Sequence, residues 1–283
     1  MVELIKLLPF NNVAATALAN CDLVNLLGYT IETIWLNLGG TIFTKAMLTS
    51  IQLKANSKVI FDSTGTATDT RMQYRGLTAS ATFLPIDFTE VRGRTKKNML
   101  SGAFDTTVGV KNLRLECQIT GATAPTLAGW ADVSGPMVDP EYQDIRPLIA
   151  RVHRATITIG AAGEFALNVP HMDPAAGGSL FKRIVVFSAN MTALRVVRNG
   201  IEEHNSSTAL QAFREPYQGL RTIQANTYVY DPIVDNFQEG RVWDTRLQPG
   251  QPGATQTAQF LGTFSAGETI TIESEVLEPL DAY

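Results

Sequence analysis

The sequence is poor in cysteine, histidine and charge, and each shortage removes a class of protein. Its 283 residues include two cysteines, Cys21 and Cys117, with no CxxC pair, which excludes a disulfide framework and a cysteine zinc site. The three histidines, His153, His171 and His204, lack HxH or HxxxH spacing, so the metal cluster of a cupin barrel is missing. No run of about 18 apolar residues predicts a transmembrane helix, and the start lacks the pattern of a signal peptide.

Charged residues make up only 18% of the chain and the net charge is −4. The usual charged fraction is about 25%, so little of the surface is equipped for solvation as a free monomer. We therefore expect partner subunits to cover part of it. A specific nucleic-acid partner is not expected, because such surfaces need clustered lysine and arginine.

Catalytic motifs are also missing from the sequence. It contains no GxSxG elbow, no phosphate-binding GxxxxGK[ST] loop and no GxGxxG after a strand. The one basic run, Arg92, Arg94, Lys96 and Lys97, has no aromatic residues interleaved for base stacking. It favours a solvated or subunit-contacting loop over a phosphate site. We predict that the protein is not an enzyme, with no catalytic, cofactor-binding or metal-ligating residues.

Two groups of acidic residues leave one ion open as a hypothesis. Asp231 and Asp235 form the first group, and Asp139, Glu141 and Asp144 form the second. Carboxylates on loops bind Ca²⁺ through oxygen, although such groups are more often solvated loop charge. We therefore predict no cofactor and keep structural calcium as the alternative.

β-Strand patterns dominate the remainder of the chain. In residues 113–119, Leu113, Leu115, Cys117 and Ile119 alternate with polar residues, which predicts a strand with one buried face. Residues 30–38 and 269–277 show similar alternation. Two short helices are predicted, at residues 68–77 and at residues 206–214, the second capped by Ser206 or Ser207 and stopped by Pro216.

A weak internal repeat relates the two halves of the chain. Asn56-Ser57 and Asn199-Gly200 each lie between two strand-like segments, and Asn-Gly is a strong signal for a type I′ hairpin. After each hairpin come a short helix, a strand containing proline (Pro85 or Pro232) and a long polar loop. The order of elements, more than residue identity, carries this repeat.

The repeated unit predicts an all-β fold of two tandem eight-stranded jelly-roll β-barrels with short helices in the loops. We predict an N-terminal jelly roll at 1–124, a proline-containing linker at 125–147 and a C-terminal jelly roll at 148–283. Residues 2–10, which are mostly apolar, are expected to form an arm packed on a neighbouring subunit, with contact to lipid as the alternative. Cys21 and Cys117 are expected to be reduced and to be neighbours across a sheet.

With these features, the chain resembles the double jelly-roll major capsid proteins of membrane-containing double-stranded DNA bacteriophages, and most of all those of the corticovirus type. The resemblance covers nearly the whole chain as element order, with sparse residue matches. It rests on the following segments: residues 12–15, the hairpin at 51–61, the hairpin at 194–203, Asn226-Thr227-Tyr228 and the closing strand at 268–276.

The resemblance implies a structural coat protein that forms homotrimers with a pseudo-hexameric outline. These trimers would tile an icosahedral virus shell around an internal membrane, contacting neighbouring trimers and other virion proteins. The protein would be assembled in the host cytoplasm and located in the virion. Two alternatives stay open, a virion spike or receptor- or glycan-binding β-protein, and a carbohydrate-active enzyme. Trp35, Trp130 and Trp243 are spread along the sequence instead of forming the aromatic groove that the enzyme would need.

Overall fold

A computed structural model describes residues 2–107, 109–135, 148–172, 178–219, 221–246 and 258–279. The chain forms two compact units. The N-terminal unit contains Met1–Gln73, Leu77–Val152 and Glu278–Tyr283, and the C-terminal unit contains Tyr74–Gly76 and His153–Leu277.

The first half of the chain is built from short strands with two helices between them. The strands are β1 Glu3–Lys6, β2 Thr16–Asp22, β3 Thr30–Ile42, β4 Leu48–Ala55, β5 Lys58–Ser63, β6 Phe83–Asp87, β7 Phe104–Asp105, β8 Leu113–Thr120 and β9 Thr123–Ser134. The helices are α1 Gly65–Tyr74 and α2 Lys96–Leu100, and two 3₁₀ turns occur at Val24–Leu26 and Lys45–Met47.

The second half has the same composition of elements. The strands are β10 Leu148–Ile159, β11 Gly163–Ala166, β12 Leu180–Phe187, β13 Met191–Arg198, β14 Ile201–Ser207, β15 Thr227–Tyr230, β16 Trp243–Asp244, β17 Ala258–Phe264 and β18 Glu268–Pro279. The helices are α3 Thr208–Gly219 and α4 Gln238–Arg241.

The two halves share one strand topology, which is that of a jelly roll. In the first half the sheets run β1-β9-β3-β6 and β2-β8-β4-β5, and in the second half they run β10-β18-β12-β15 and β11-β17-β13-β14. The two-residue strand β7 pairs with β3, and the two-residue strand β16 pairs with β12. If β7 and β16 are left out and the remaining eight strands of each half are renumbered in chain order, the two sheets of each half have the strand orders 1-8-3-6 and 2-7-4-5. The predicted fold class and the repeated order of elements are therefore confirmed, except that Pro232 lies just after β15 and not within it.

The two hairpins that define the repeat have the predicted turn chemistry. Asn56 and Ser57 have φ of 49° and 69°, and Asn199 and Gly200 have φ of 50° and 77°. Positive φ at both central residues is the mark of a type I′ turn, whose twist matches that of the flanking strands. These turns join β4 to β5 and β13 to β14.

The alternation of apolar and polar residues along the strands determines which strand faces are buried in the two cores. In β8, Leu113, Leu115, Cys117 and Ile119 are all at most 1% exposed, as the pattern predicts. In the C-terminal unit the core includes Phe181, Val196, Phe260 and Ile272. Among the described residues, no helix has the length and apolar character needed to cross a bilayer.

Both predicted helices exist, but the predicted end of the second is wrong. Ser207 caps α3, because its Oγ accepts a hydrogen bond from the backbone N–H of Leu210 at 3.2 Å. The helix then passes through Pro216 and ends at Gly219. A proline in the last turn removes one backbone hydrogen bond, and the Ala212 carbonyl that loses its donor belongs to an exposed residue.

The predicted linker at 125–147 is wrong in its first part. Residues 125–134 belong to β9, which pairs along its length with β3 from Thr30↔Ser134 to Ile42↔Thr123. Leu127, Ala131 and Val133 are buried in alternation with less buried residues. Residues 136–147 lie outside the described residues.

The expectation that residues 2–10 pack as an arm on a neighbouring subunit stays a prediction, but part of this segment forms a strand within its own chain. Glu3–Lys6 pairs antiparallel with β9 of the same chain, from Glu3↔Val133 to Lys6↔Trp130. The pairing continues as the Leu7 N–H donates to the Gly129 carbonyl at 2.9 Å. Pairing with β9 satisfies the backbone groups on one side of this strand, and its other side forms the edge of the sheet.

Candidate functional sites

The two cysteines lie close together in one sheet and are free thiols. Strands β2 and β8 pair so that Cys117 faces Ala19 and Cys21 faces Leu115, which makes the cysteines diagonal neighbours, as predicted. Both are buried and unbridged. Burial raises the pKa of Cys21 to about 11, and burial also raises the pKa of Cys117. Thiols that stay protonated at neutral pH are poor nucleophiles, so the cysteines act in packing.

Two of the three histidines meet in space although no sequence spacing indicates it. The His153 and His171 rings stack with centroids 3.6 Å apart and an interplanar angle of 20°. His171 lies in a turn with φ of 61°. His204 packs edge-on against Tyr230 at 5.4 Å, and burial, followed by the charge of Arg214, lowers the pKa of His204.

The basic run is partly helical and not a simple loop as predicted. Arg92 and Arg94 lie in exposed turn residues, and Lys96 and Lys97 are the first two residues of α2. Glu90, just before the run, is buried and its N–H donates to the Met99 carbonyl at 2.9 Å. The run is therefore a surface turn leading into a one-turn helix.

Two tryptophans that are far apart in sequence face each other in the N-terminal unit. Trp35 and Trp130 are register partners of β3 and β9, and the indole N–H of Trp35 donates to Asp132 at 2.7 Å. Trp243 belongs to the C-terminal core, 5.9 Å from the Phe181 ring. Cross-strand pairing brings Trp35 and Trp130 together, which the sequence spacing could not show.

The acidic groups named for calcium have different surroundings. Asp231 accepts hydrogen bonds from two guanidinium groups, and Asp235 lies 3.6 Å from Arg241. Asp139, Glu141 and Asp144 lie outside the described residues. The absence of a cofactor stays a prediction, with structural calcium as its untested alternative.

A fully buried ion network in the C-terminal unit has Asp231 at its centre. Its Oδ2 accepts from Arg183 Nε at 3.2 Å and from Arg221 Nε at 2.9 Å, and the three side chains are at most 1% exposed. The Tyr74 hydroxyl donates to the same oxygen at 3.3 Å. Arg183 also pairs with Glu275 at 3.0 Å. Burial of such charges is costly unless they are paired, so this network fixes β12, β15 and β18 to each other.

Sequence reasoning missed this network, although one signal was present. Strand β12 reads Leu-Phe-Lys-Arg-Ile-Val-Val-Phe, and its first seven residues are all buried. A charged residue inside an otherwise apolar strand needs a buried partner. Nothing in the sequence identifies Asp231 as that partner, because Arg183 and Asp231 are 48 positions apart.

Helix α3 has an inverted distribution of polar and apolar residues. Its buried residues are Gln211, Glu215 and Gly219. Its exposed face carries Leu210, Phe213 and Tyr217, which are 51%, 74% and 85% exposed. We call these three residues the α3 ridge. The rings of Phe213 and Tyr217 stack with centroids 6.4 Å apart.

The α3 ridge is comparable in area to the largest apolar patch on a typical monomeric protein, about 300–600 Å², and such patches are often functional. Aromatic side chains of this kind present about 150–250 Å² each, so the two exposed rings alone display on the order of 300 Å². Contiguous apolar patches of a few hundred Å² on soluble proteins mark interaction sites. The ridge is therefore the strongest candidate for a subunit contact among the described residues.

Comparison with known protein families assigns both halves of the chain. The family model of the viral coat protein P2 N-terminal domain matches residues 4–134, and that of the viral coat protein P2 C-terminal domain matches residues 149–280. The first match ends where β9 ends, in agreement with the structure. No curated protein matches the chain.

Solved capsid protein structures share the fold over the whole chain. The major capsid protein P2 from bacteriophage PM2 is 16% identical and aligns with a TM-score of 0.80, covering 100% of both chains. The STIV MCP is 12% identical with a TM-score of 0.69, covering 99% of this chain and 98% of that chain. The PBCV-1 virus capsid is 11% identical with a TM-score of 0.60, covering 98% and 93%.

Proposed function

The chain belongs to the viral coat protein P2 family, and from this premise we propose that it assembles as homotrimers with a pseudo-hexameric outline. We propose further that these trimers tile an icosahedral shell around an internal membrane. Membership of a coat protein family makes the protein a structural component of the virion and not an enzyme. This membership supports the coat role over the spike and carbohydrate-active alternatives. No observation on the described residues favours either alternative.

The α3 ridge is the observation that carries the proposal of self-association. A helix that turns glutamine and glutamate inward and leucine, phenylalanine and tyrosine outward is unfavourable on an isolated chain. Covering the ridge with another subunit removes apolar area from water, which stabilises an assembly by about 25 cal/mol for each Å². Aromatic residues are enriched at the centres of such interfaces.

The oligomeric state in solution tests the trimer directly. Size-exclusion chromatography with light scattering should give three times the chain mass of 30.8 kDa. The double variant Phe213→Ser and Tyr217→Ser should give the single-chain mass, because it removes both rings of the ridge. Ile201→Ser is a matched control, since Ile201 is 68% exposed but lies outside α3.

Two outcomes would count against this proposal. A single-chain mass for the unchanged protein at micromolar concentration would exclude a stable trimer. A trimer that survives the double substitution would place the interface elsewhere and leave the ridge for another contact.

The membrane and cellular parts of the proposal rest on the coat family and on the apolar N-terminus. Val2 and Leu4 are 55% and 64% exposed beside β1, so this edge offers apolar side chains to a bilayer. We expect trimers to float with lipid vesicles in a density gradient, and Val2→Ser with Leu4→Ser to abolish flotation. Recovery of all the protein in the dense fractions would contradict contact with lipid. Assembly in the host cytoplasm, contacts with other virion proteins and the lack of a specific nucleic-acid partner complete the proposal.

A further inference from the structure

A cavity of about 270 Å³ lies beside α3 in the C-terminal unit. Residues 208–215 of the helix form one wall, and residues 223–228 form the other. Its volume is near the lower end of the ~300–1,000 Å³ typical of ligand pockets. It is separate from the α3 ridge, because Phe213 and Tyr217 do not line it.

Two buried oxygen atoms on the helical wall have no hydrogen-bond partner in the part of the chain that the structure describes. Glu215 is 6% exposed and Gln211 is 5% exposed, and both line the cavity. Glu215 Oε2 and Gln211 Oε1 are without a hydrogen bond among the described residues. A buried acceptor left in this state costs about 1–3 kcal/mol, so the cavity is equipped for a group that donates hydrogen bonds.

The other atoms of these two side chains fix their orientation. Gln211 Nε2 donates to Glu215 Oε1 at 2.7 Å and also to the Val229 carbonyl. An amide nitrogen engaged by two acceptors leaves the amide oxygen as the free end. Both unpartnered atoms are therefore acceptors.

Glu215 also lacks a counter-ion of its own. Among the described residues it forms no ion pair, and the groups whose charges act on it are Asp231 and Arg221. These two pair with each other at 2.9 Å, so their effects largely cancel. Arg183 is likewise committed to Asp231 and Glu275. The Tyr74 hydroxyl donates to Asp231 and also acts on Glu215 through a hydrogen bond, but it carries no charge that could serve as a counter-ion.

We propose that this cavity binds a primary ammonium group, held by Glu215 Oε2 and Gln211 Oε1. An ammonium carries three N–H donors and one positive charge, which matches two acceptors and one uncompensated carboxylate. The group can come from a free alkylamine or from a lysine of a second copy of this chain. The inference does not depend on the proposed trimer.

The probe for the site is n-butylammonium, titrated in phosphate buffer without other amines and followed by ligand-observed NMR. We expect saturable binding of one molecule per chain at pH 8. Tetramethylammonium has the same charge but no N–H donor, so it should bind at least tenfold more weakly.

The pH dependence separates this site from unspecific attraction. Burial raises the pKa of Glu215 to about 7, against the opposing hydrogen bonds from Gln211 and Tyr74. An alkylammonium stays charged at both pH 6 and pH 8, while Glu215 loses most of its charge at pH 6. The affinity should therefore be about tenfold weaker at pH 6 than at pH 8.

Two variants and a control test the residues. Glu215→Gln should abolish saturable binding and its pH dependence. Ala212→Phe places a ring at the exposed rim of the cavity and keeps the carboxylate, so it should abolish binding independently of the first variant. Glu202→Gln changes an exposed carboxylate 3.7 Å from Arg195 and should leave binding unchanged.

The assembled and dissociated forms distinguish the two sources of the ammonium group. If a free amine is the natural ligand, n-butylammonium binds both the unchanged protein and the double ridge variant. If a neighbouring lysine fills the cavity, the amine binds only dissociated chains and weakens assembly. Binding to neither form, or equal binding by Glu215→Gln, would overturn the proposal. If the protein proves not to form a trimer, the binding result can still be interpreted, because a single chain contains the whole cavity.

Discussion

Helices α1 and α3 occupy the same place in the two jelly rolls, after the fifth strand of each, yet they meet opposite surroundings. In α1, residues Ala67, Thr68, Arg71 and Met72 are at most 6% exposed. In α3 only three residues are buried, and the large apolar side chains face outward. One topological position thus supplies core in the first half and surface in the second.

The residues around each helix explain this difference. Gly65 opens α1 so close to the 3₁₀ turn at Lys45–Met47 that an added Cβ would contact the Lys45 carbonyl. Asp69 then pairs with Lys45 at 2.5 Å, and Arg71 lies 5.4 Å over the Phe61 ring. These contacts enclose α1 on several sides. Helix α3 is held on one side only, where its polar residues border a cavity and an ion network.

The largest expected effect tests the network beneath α3. Asp231→Asn should lower the free energy of unfolding by about 3–5 kcal/mol, because it leaves Arg221 buried without a counter-ion. Denaturant unfolding measures this loss. Asp244→Asn is the matched control, since its partner Arg246 is 48% exposed and such pairs contribute about 0–1 kcal/mol. Equal losses for the two variants would show that the buried network is not what holds this side of α3.

The second effect depends on pH and again concerns the buried side of α3. The pKa of Glu215 is raised to about 7 in the folded state from an ordinary 4.5, so folding takes up a proton between these values. The stability is fully present below about pH 4.5 and is lost as the pH rises through about 7. The loss is on the order of 3 kcal/mol.

Glu215→Gln should remove this dependence, because glutamine stays neutral. The variant should match the unchanged chain near pH 4.5 and be more stable at pH 8 in amine-free buffer. Unfolding curves at the two pH values measure the difference. A pH-independent gap between the two proteins would show that Glu215 does not titrate in this range.

The fold was largely predictable from sequence because local signals and topology agree. The Asn56-Ser57 and Asn199-Gly200 pairs predicted the hairpins, and alternation predicted the buried faces of β3 and β8. In β18 the predicted alternation holds only up to Ile272, because residues 272–278 are all buried. Strand β9 was missed because Pro125, Gly129 and Ala131 look like linker residues. A Cβ at Gly129 would lie 2.7 Å from Leu7 Cδ1 and 3.0 Å from the Trp35 carbonyl, so a larger residue there would displace the Leu7 side chain. The network was missed because strand pairing brings together residues that are far apart in sequence. The cavity was missed because it lies between α3 and the segment that follows it, and no sequence pattern shows how these two pack.

Removing the N-cap of a helix should lower stability by a smaller amount, and the loss should differ between α1 and α3. Thr64 Oγ1 accepts from the Ala67 N–H at 3.1 Å, as Ser207 Oγ accepts from Leu210. Removing a cap costs about 1 kcal/mol. Thr64→Ala should cost more than Ser207→Ala, because Ala67 is 6% exposed and water cannot replace the lost acceptor. Thermal unfolding measures the loss for both alanine variants. Thr64→Ser should keep the stability of the unchanged chain, because serine retains the capping hydroxyl.

The smallest expected effect is the sharpest test of the comparison, because it concerns the residues that differ most from α1. In dissociated chains, Phe213→Ser with Tyr217→Ser should change the free energy of unfolding by no more than about 0.5 kcal/mol, as is usual for exposed positions. The comparison must be made at a concentration where both proteins are single chains, since the stability of an assembly depends on concentration. A loss above about 2 kcal/mol would mean that the ridge packs within its own chain. The contrast between a buried α1 and an outward-facing α3 would then fail, and with it the reason for placing a subunit contact on α3.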